Sequence, residues 1–94
     1  MDFELNIYGT DDEIINTYRT AHVRWGVFIQ AMQLQEQLKN KGEREKFDSI
    51  SRFVMSMFEG MTVEELNAAD GFDVMAIFTQ LVNKVKNIDS SKNA

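Results

Sequence analysis

The sequence predicts an α+β fold that is mostly helical, with an N-terminal β-hairpin packed on a small bundle of three main helices plus one short helix. Three observations carry that prediction. Apolar residues alternate with polar ones over residues 3–8, and after Thr20 the apolar spacing changes to the helical period. Thr62, Val63, Glu64 and Glu65 have the spacing of a capping box that opens a helix. Val74, Ile77, Phe78, Leu81, Val82, Val85 and Ile88 form one stripe at helical spacing.

In the first segment, Phe3, Leu5 and Ile7 fall on one side and Glu4, Asn6 and Tyr8 on the other, the pattern of a half-buried strand. Gly9-Thr10-Asp11-Asp12 is turn chemistry, and a β-prone run from Ile14 to Arg19 follows closely enough to make a hairpin. Adjacent Ile14 and Ile15 leave its register open. A hairpin alone is marginal in water and must lie on an apolar surface. The expected surface is the Trp25, Phe28 and Met32 side of the next helix.

That helix is expected from about Ala21, capped by Thr20, to Leu38. Val23, Val27, Ala31, Leu34 and Leu38 share one side, and Trp25, Phe28, Ile29 and Met32 lie roughly opposite, so its first half is apolar nearly all round and must be covered on both sides. Gly26, unfavourable inside a helix, predicts a close approach by a neighbouring backbone. After Asn40-Lys41-Gly42 a second helix is expected from Glu43 to Phe58, with Phe47, Ile50, Phe53, Val54, Met57 and Phe58 on one face. A short connection makes these two helices antiparallel neighbours. The short helix after Thr62 carries Met61 and Leu66 at the positions of a hydrophobic staple. Asp70-Gly71 ends it and opens the last helix. The predicted deep core is Leu34, Val54, Met57, Phe78, Leu81 and Val85.

With 94 residues, 44% apolar and 27% charged, the chain has material for a single domain, expected over residues 1–88 with a frayed polar tail over 89–94. It has no cysteine, hence no disulfide framework and no thiolate metal site. The first residues lack the basic and apolar regions of a signal peptide, and nowhere do about 18 apolar residues run together, so the expectation is an unanchored cytoplasmic protein. A net charge of −5, with lysines and arginines scattered among glutamates as in residues 39–46, is the wrong balance for gripping phosphates.

No motif nominates catalytic, cofactor-binding or metal-ligating residues. His22, the single histidine, has no serine, cysteine or carboxylate at a spacing that implies a triad. Asp11-Asp12-Glu13 lacks the alternation and the distal glutamate of a calcium loop. The chain also lacks a glycine-rich phosphate loop and a zinc-protease helix motif. The expectation is a non-catalytic protein. Of its six methionines, Met32, Met57 and Met61 fit core positions as ordinary gap-filling, whereas Met55 and Met75 fall off the main stripes of their helices and leave adaptable apolar binding open; Trp25, Phe28, Phe53 and Met55 are the candidate partner contacts.

The opening MDFELNIYG, the passage through TYRT into RWGVFIQAMQLQEQL, and the closing FEGMTVEEL before an amphipathic helix resemble the tail assembly chaperones of long, non-contractile-tailed phages and prophages of Gram-positive bacteria. The likeness spans residues 2–88, and its motif rests on Phe58, Gly60, Thr62, Glu64, Glu65 and Leu66. The resemblance implies a cytoplasmic, non-catalytic factor that coats the aggregation-prone helices of the tape measure protein, brings the major tail protein to it, and is absent from the finished virion. It also implies that a second, longer product can arise by programmed frameshifting. The expected partners are therefore proteins, with no nucleic acid or membrane, and self-association stays open. The alternative is a small acidic helical adaptor or regulatory protein that binds a globular partner by the same helix faces. Gene order separates the two, because a tail chaperone gene lies between those of the major tail protein and the tape measure protein. A helix-turn-helix DNA-binding reading of residues 62–87 is disfavoured by the acidic charge and tested by a salt-dependent DNA shift.

Overall fold

The computed structural model describes residues 3–92, with side chains through Asn87. Two strands and four helices follow one another as β1 (Phe3–Tyr8), β2 (Ile14–Thr20), α1 (Trp25–Leu38), α2 (Glu43–Met57), α3 (Val63–Asn67) and α4 (Gly71–Lys92). This is the α+β architecture the change of periodicity predicts.

β1 and β2 pair antiparallel from Phe3 opposite Thr20 to Ile7 opposite Asn16, whereas Tyr8 pairs with Ile14. Ile15 is therefore the extra residue of a β-bulge, which settles how two adjacent isoleucines fit a period-two strand. Both stay exposed. The Gly9 N–H donates to the Glu13 carbonyl at 2.8 Å and the Asp12 N–H to the Gly9 carbonyl at 3.1 Å, closing the turn. Asp12, at φ +61°, takes the left-handed conformation that aspartate tolerates. On the outer face Arg19 meets Glu4 at 2.9 Å and the Thr17 hydroxyl donates to Asn6 at 2.8 Å. On the inner face Phe3, Leu5 and Ile7 are buried.

The hairpin does not lie on the Trp25 side of α1. β1 packs against α4, where Phe3, Ala76 and Ile77 border the same groove, and its free edge is stitched to the α3–α4 junction. There the Tyr8 N–H donates to the Ala68 carbonyl at 3.0 Å, and Ile7 forms an antiparallel bridge with Ala69. The buried stripe of α4 offers Phe3, Leu5 and Ile7 a continuous apolar surface, so burial favours that side.

α1 begins at Trp25, one turn later than expected. Thr20 is still in β2 and its hydroxyl donates to the His22 carbonyl at 3.0 Å, so it is not the cap. Arg24 occupies the cap position without a side-chain bond. Ala31 and Leu34 are buried, and Val23, Val27 and Leu38 are partly buried against the core, as the core-facing side of α1 predicts. The expected close approach at Gly26 is absent, since a Cβ there would meet nothing within 4 Å. Gly26→Ala is accordingly expected to stabilise the protein by about 0.5–1 kcal/mol through helix propensity and reduced unfolded-state freedom. A lower urea midpoint for the alanine variant would show that the glycine has a steric role.

α2 buries Ile50, Phe53 and Val54, with Phe58 just beyond its end. Phe47, expected on that face, is 57% exposed. At about 100° per residue it lies roughly 70° from the centre of the face set by Ile50, Phe53, Val54 and Met57, at the margin of the contact. Ser49 is buried instead, its hydroxyl accepting from the Lys41 ammonium at 3.0 Å. Gly60, at φ +83° in the turn closed by the Met61 N–H on the Phe58 carbonyl, supplies a backbone conformation that side chains disfavour. The expected capping box at Thr62 and Glu65 is present, and both staple residues, Met61 and Leu66, are buried. Asp70 caps α4, its carboxylate accepting from the Phe72 and Asp73 N–H groups at 2.8 and 3.1 Å. Ile77, Phe78, Leu81 and Val82 fill the core, and Phe78 meets the edge of Phe53 with ring centroids 5.7 Å apart. Met57 and Val85, expected to be deeply buried, are half-buried at the margin. Ile88 lies outside the described side chains, while the α4 backbone continues to Lys92.

Candidate functional site

α1 is held on the core by one face, and that fixes what its other face presents. Measured around the helix at about 100° per residue, Val27, Ala31, Leu34 and Leu38 cluster on one side, and Trp25, Ile29, Met32 and Glu36 cluster nearly opposite. Trp25 is 69% exposed, Met32 45% and Ile29 37%. Phe28 sits at the flank, partly buried against the core, with its ring centroid 6.3 Å from that of Trp25. The result is a narrow apolar stripe along one exposed helix, with Arg24 before it and the Glu36–Lys39 pair, 3.8 Å apart, at its far end. Trp25, Ile29 and Met32 thus form a contiguous exposed apolar patch rather than singly scattered exposed side chains.

Of the four expected contacts, the structure brings Trp25 and Phe28 together on this stripe. Phe53 is 7% exposed and packs on Phe78, so it belongs to the core rather than to this stripe. Its place on the face shared with Ile50 and Val54 accounts for the difference. Met55 is half-buried in a separate groove between α2 and α3, of about 490 Å³, which Val63 and Leu66 also line. Ile29 and Met32 are exposed beside Trp25 on this stripe and are not among the four expected contacts. Their spacing from Trp25, four and seven residues, carried the signal, but the hairpin was expected to cover them. Phe72, on the first turn of α4 and away from its buried stripe, is a further exposed aromatic.

The polar chemistry of the fold converges on Glu65. Its carboxylate accepts from the Tyr18 hydroxyl at 2.7 Å, from the Asn16 amide at 3.1 Å and from the Thr62 N–H at 3.1 Å. The Glu65 N–H in turn donates to the Thr62 hydroxyl at 3.2 Å. One side chain thus caps α3 and fastens the inner face of β2 to it. Tyr18 completes the contact with a tilted ring pairing on Phe58, centroids 6.2 Å apart. The Tyr18 hydroxyl bond, then the Thr62 N–H, hold the Glu65 carboxyl below its ordinary pKa of 4.5. The same bond to Glu65 raises the Tyr18 hydroxyl above 10.0.

Because the folded-state pKa of Glu65 is depressed, its contribution is fully present above about pH 4.5 and is lost as pH falls through the lower folded value. Tyr18 is raised, so its contribution is present below pH 10.0 and fades as pH climbs through the folded value. Glu65→Gln is therefore expected to flatten the acid limb of the stability–pH curve as pH falls below about 4.5, read by urea midpoints at successive pH values. An unchanged acid limb would remove Glu65 as its source.

His22 and Ser56 both line a small cleft of about 100 Å³ between the start of α1 and the end of α2. The Ser56 hydroxyl donates to the Phe53 carbonyl at 2.6 Å, so its proton is committed to the helix backbone, and His22 is exposed. Among the described residues no group of three or more histidine, cysteine, aspartate or glutamate side chains could hold a metal ion, and no helix is long and apolar enough to cross a membrane. No family model matches the chain, and neither a curated protein nor a solved structure matches it.

Proposed function

We propose that the chain is a tail assembly chaperone of a long, non-contractile-tailed phage or prophage. It acts in the host cytoplasm by shielding amphipathic helices of the tape measure protein and bringing the major tail protein to them, and it does not remain in the virion. The observation that carries this reading is the uncovered Trp25, Ile29 and Met32 stripe on a helix whose opposite face is already used by the core. The resemblance through FEGMTVEEL supports it from the sequence side. A client helix laid along the stripe buries its own apolar face by intercalating side chains at helical spacing, while the net charge of −5 keeps the complex in solution. Affinity in this mechanism comes from burial, so salt affects it little.

The test is co-expression of the tape measure protein with Trp25→Ala and with Met55→Asp, each first verified as folded by circular dichroism. Trp25→Ala is expected to weaken client binding by about tenfold or more, as loss of a tryptophan anchor does, and to return the client to the insoluble fraction. Met55→Asp reports on the α2–α3 groove and is expected to change client solubility less. Full protection by both variants, or protection by the parent that collapses as salt rises, would rule out the apolar stripe as the client surface.

A further inference from the structure

The hairpin has one covered edge and one open edge. Main-chain groups turn alternately to the two sides of a strand, and the Tyr8 N–H points away from β2, to the Ala68 carbonyl at 3.0 Å. Ile7, Leu5 and Phe3 therefore turn theirs toward β2, where they face Asn16, Tyr18 and Thr20. Thr17 and Arg19, the residues between, present their N–H and C=O groups to the edge of β2 that no strand among the described residues covers. Such an edge is a template for another chain. The run from Ile14 to Thr20 suits that use, because it is rich in β-branched residues, has neither proline nor glycine, carries one charge, and leaves Ile14 and Ile15 exposed.

The middle of this edge is nevertheless closed from within. The Asn16 side-chain carbonyl accepts from the Thr17 N–H at 2.9 Å, which takes the donor at the centre of β2. The other end of the same amide is committed too, its NH2 group donating to the Glu65 carboxylate at 3.1 Å. These two bonds fix which way the amide faces, since its nitrogen alone can donate to a carboxylate and its oxygen alone can accept from an N–H. Aspartate would set a second carboxylate against Glu65, and alanine would leave both partners unmet. On either side of the cap, the bulge at Ile15 twists the strand and Arg19 adds a charge.

We propose that Asn16 guards the open edge of β2: by occupying the Thr17 N–H, it keeps β2 from pairing with β2 of a second copy and holds the chain monomeric at this edge. Strand pairing proceeds as a run of bonds, and the cap withholds the donor in the middle of the run. With the cap removed, antiparallel pairing about Thr17 sets Thr17 across Thr17 and Ile15 across Arg19, with no like charges opposed. The inference concerns the free chain and stands whatever the α1 stripe binds.

Amide hydrogen exchange on the parent and sedimentation of two variants test it. Corrected for sequence, the Thr17 amide is expected to exchange about fivefold more slowly than the Arg19 amide, the effect of one side-chain hydrogen bond at an exposed site. Over about 10 µM to 1 mM protein the parent is expected to stay at monomer mass. Asn16→Ala, with helix content confirmed by circular dichroism, is expected to lose the protection at Thr17 and to associate within that range, with added β-sheet signal in the infrared amide band. Tyr18→Phe also removes a bond to Glu65 but leaves the Asn16 cap in place, so it is expected to lower the urea midpoint and remain monomeric. Equal exchange of Thr17 and Arg19 in the parent, an Asn16→Ala variant that stays monomeric throughout, or a Tyr18→Phe variant that associates as strongly would each overturn the proposal. The exchange comparison is made on the parent, so it decides the matter even where Asn16→Ala folds poorly.

Discussion

Leu81→Ala is expected to lower the unfolding free energy by about 2–5 kcal/mol, read from urea midpoints at constant slope. Leu81 is 0% exposed and belongs to the cluster in which α4 meets α1, α2 and the hairpin. Its truncation leaves a cavity lined from several elements at once, and a packed interior closes such a gap only in part. A domain of this size has on the order of 5–10 kcal/mol in total, so the variant retains a small fraction of the parent's margin. Phe72→Ala provides the contrast on the same helix. Phe72 is exposed on the first turn of α4, and its truncation is expected to move the midpoint by less than about 0.5 kcal/mol. Equal losses for the two would mean that the stripe from Ile77 to Val82 does not face the core.

The fold was legible wherever one local rule decided the outcome. Phe3, Leu5 and Ile7 alternate cleanly, Thr62 and Glu65 close their box within four residues, and the α4 stripe leaves no other face to bury. What escaped the sequence were choices among competing surfaces. Phe3, Leu5 and Ile7 fit either the outward side of α1 or the α4 stripe, and only the assembled chain sets them on α4. That choice decided the site as well, because covering Trp25 and Met32 with the hairpin would have left no stripe. Phe53 went the other way, into the core, because a face at helical spacing says nothing of how many of its members find a neighbour. The start of α1 was missed by one turn because Thr20 can cap a helix or end a strand, and pairing with Phe3 fixed it in the strand. The bulge at Ile15 has a similar origin, since both isoleucines suit a strand and the placement of Asn16 and Tyr18 beside Glu65 selects the register. The exposed residues Ile29 and Met32 could have been nominated from their spacing alone, had the question been which face of α1 the core would leave unused.

Leu5→Ala carries the second large effect, and it asks whether the hairpin is an appendage or part of the core. A two-stranded sheet is marginal by itself, yet Leu5 at the centre of β1 is fully buried in the same cluster as Leu81 and Val54. Its truncation is expected to lose about 2–5 kcal/mol, as for a leucine within a helix bundle. The hairpin is also tied to α3 and the α3–α4 junction, by Tyr18 and Asn16 on Glu65, by Tyr8 on Ala68 and by the bridge from Ile7 to Ala69. Loosening β1 therefore releases the partners of the short helix, which has too few residues to persist without them. The expected result is one cooperative transition, in which helix content and tyrosine fluorescence from the hairpin change together at a lowered midpoint. Two separate transitions, with the helices melting at the parent's midpoint after the tyrosine signal is lost, would show the hairpin to be an independent unit. A single transition shifted for both probes makes β1 a structural wall of the domain, the one that turns α1's remaining apolar face outward.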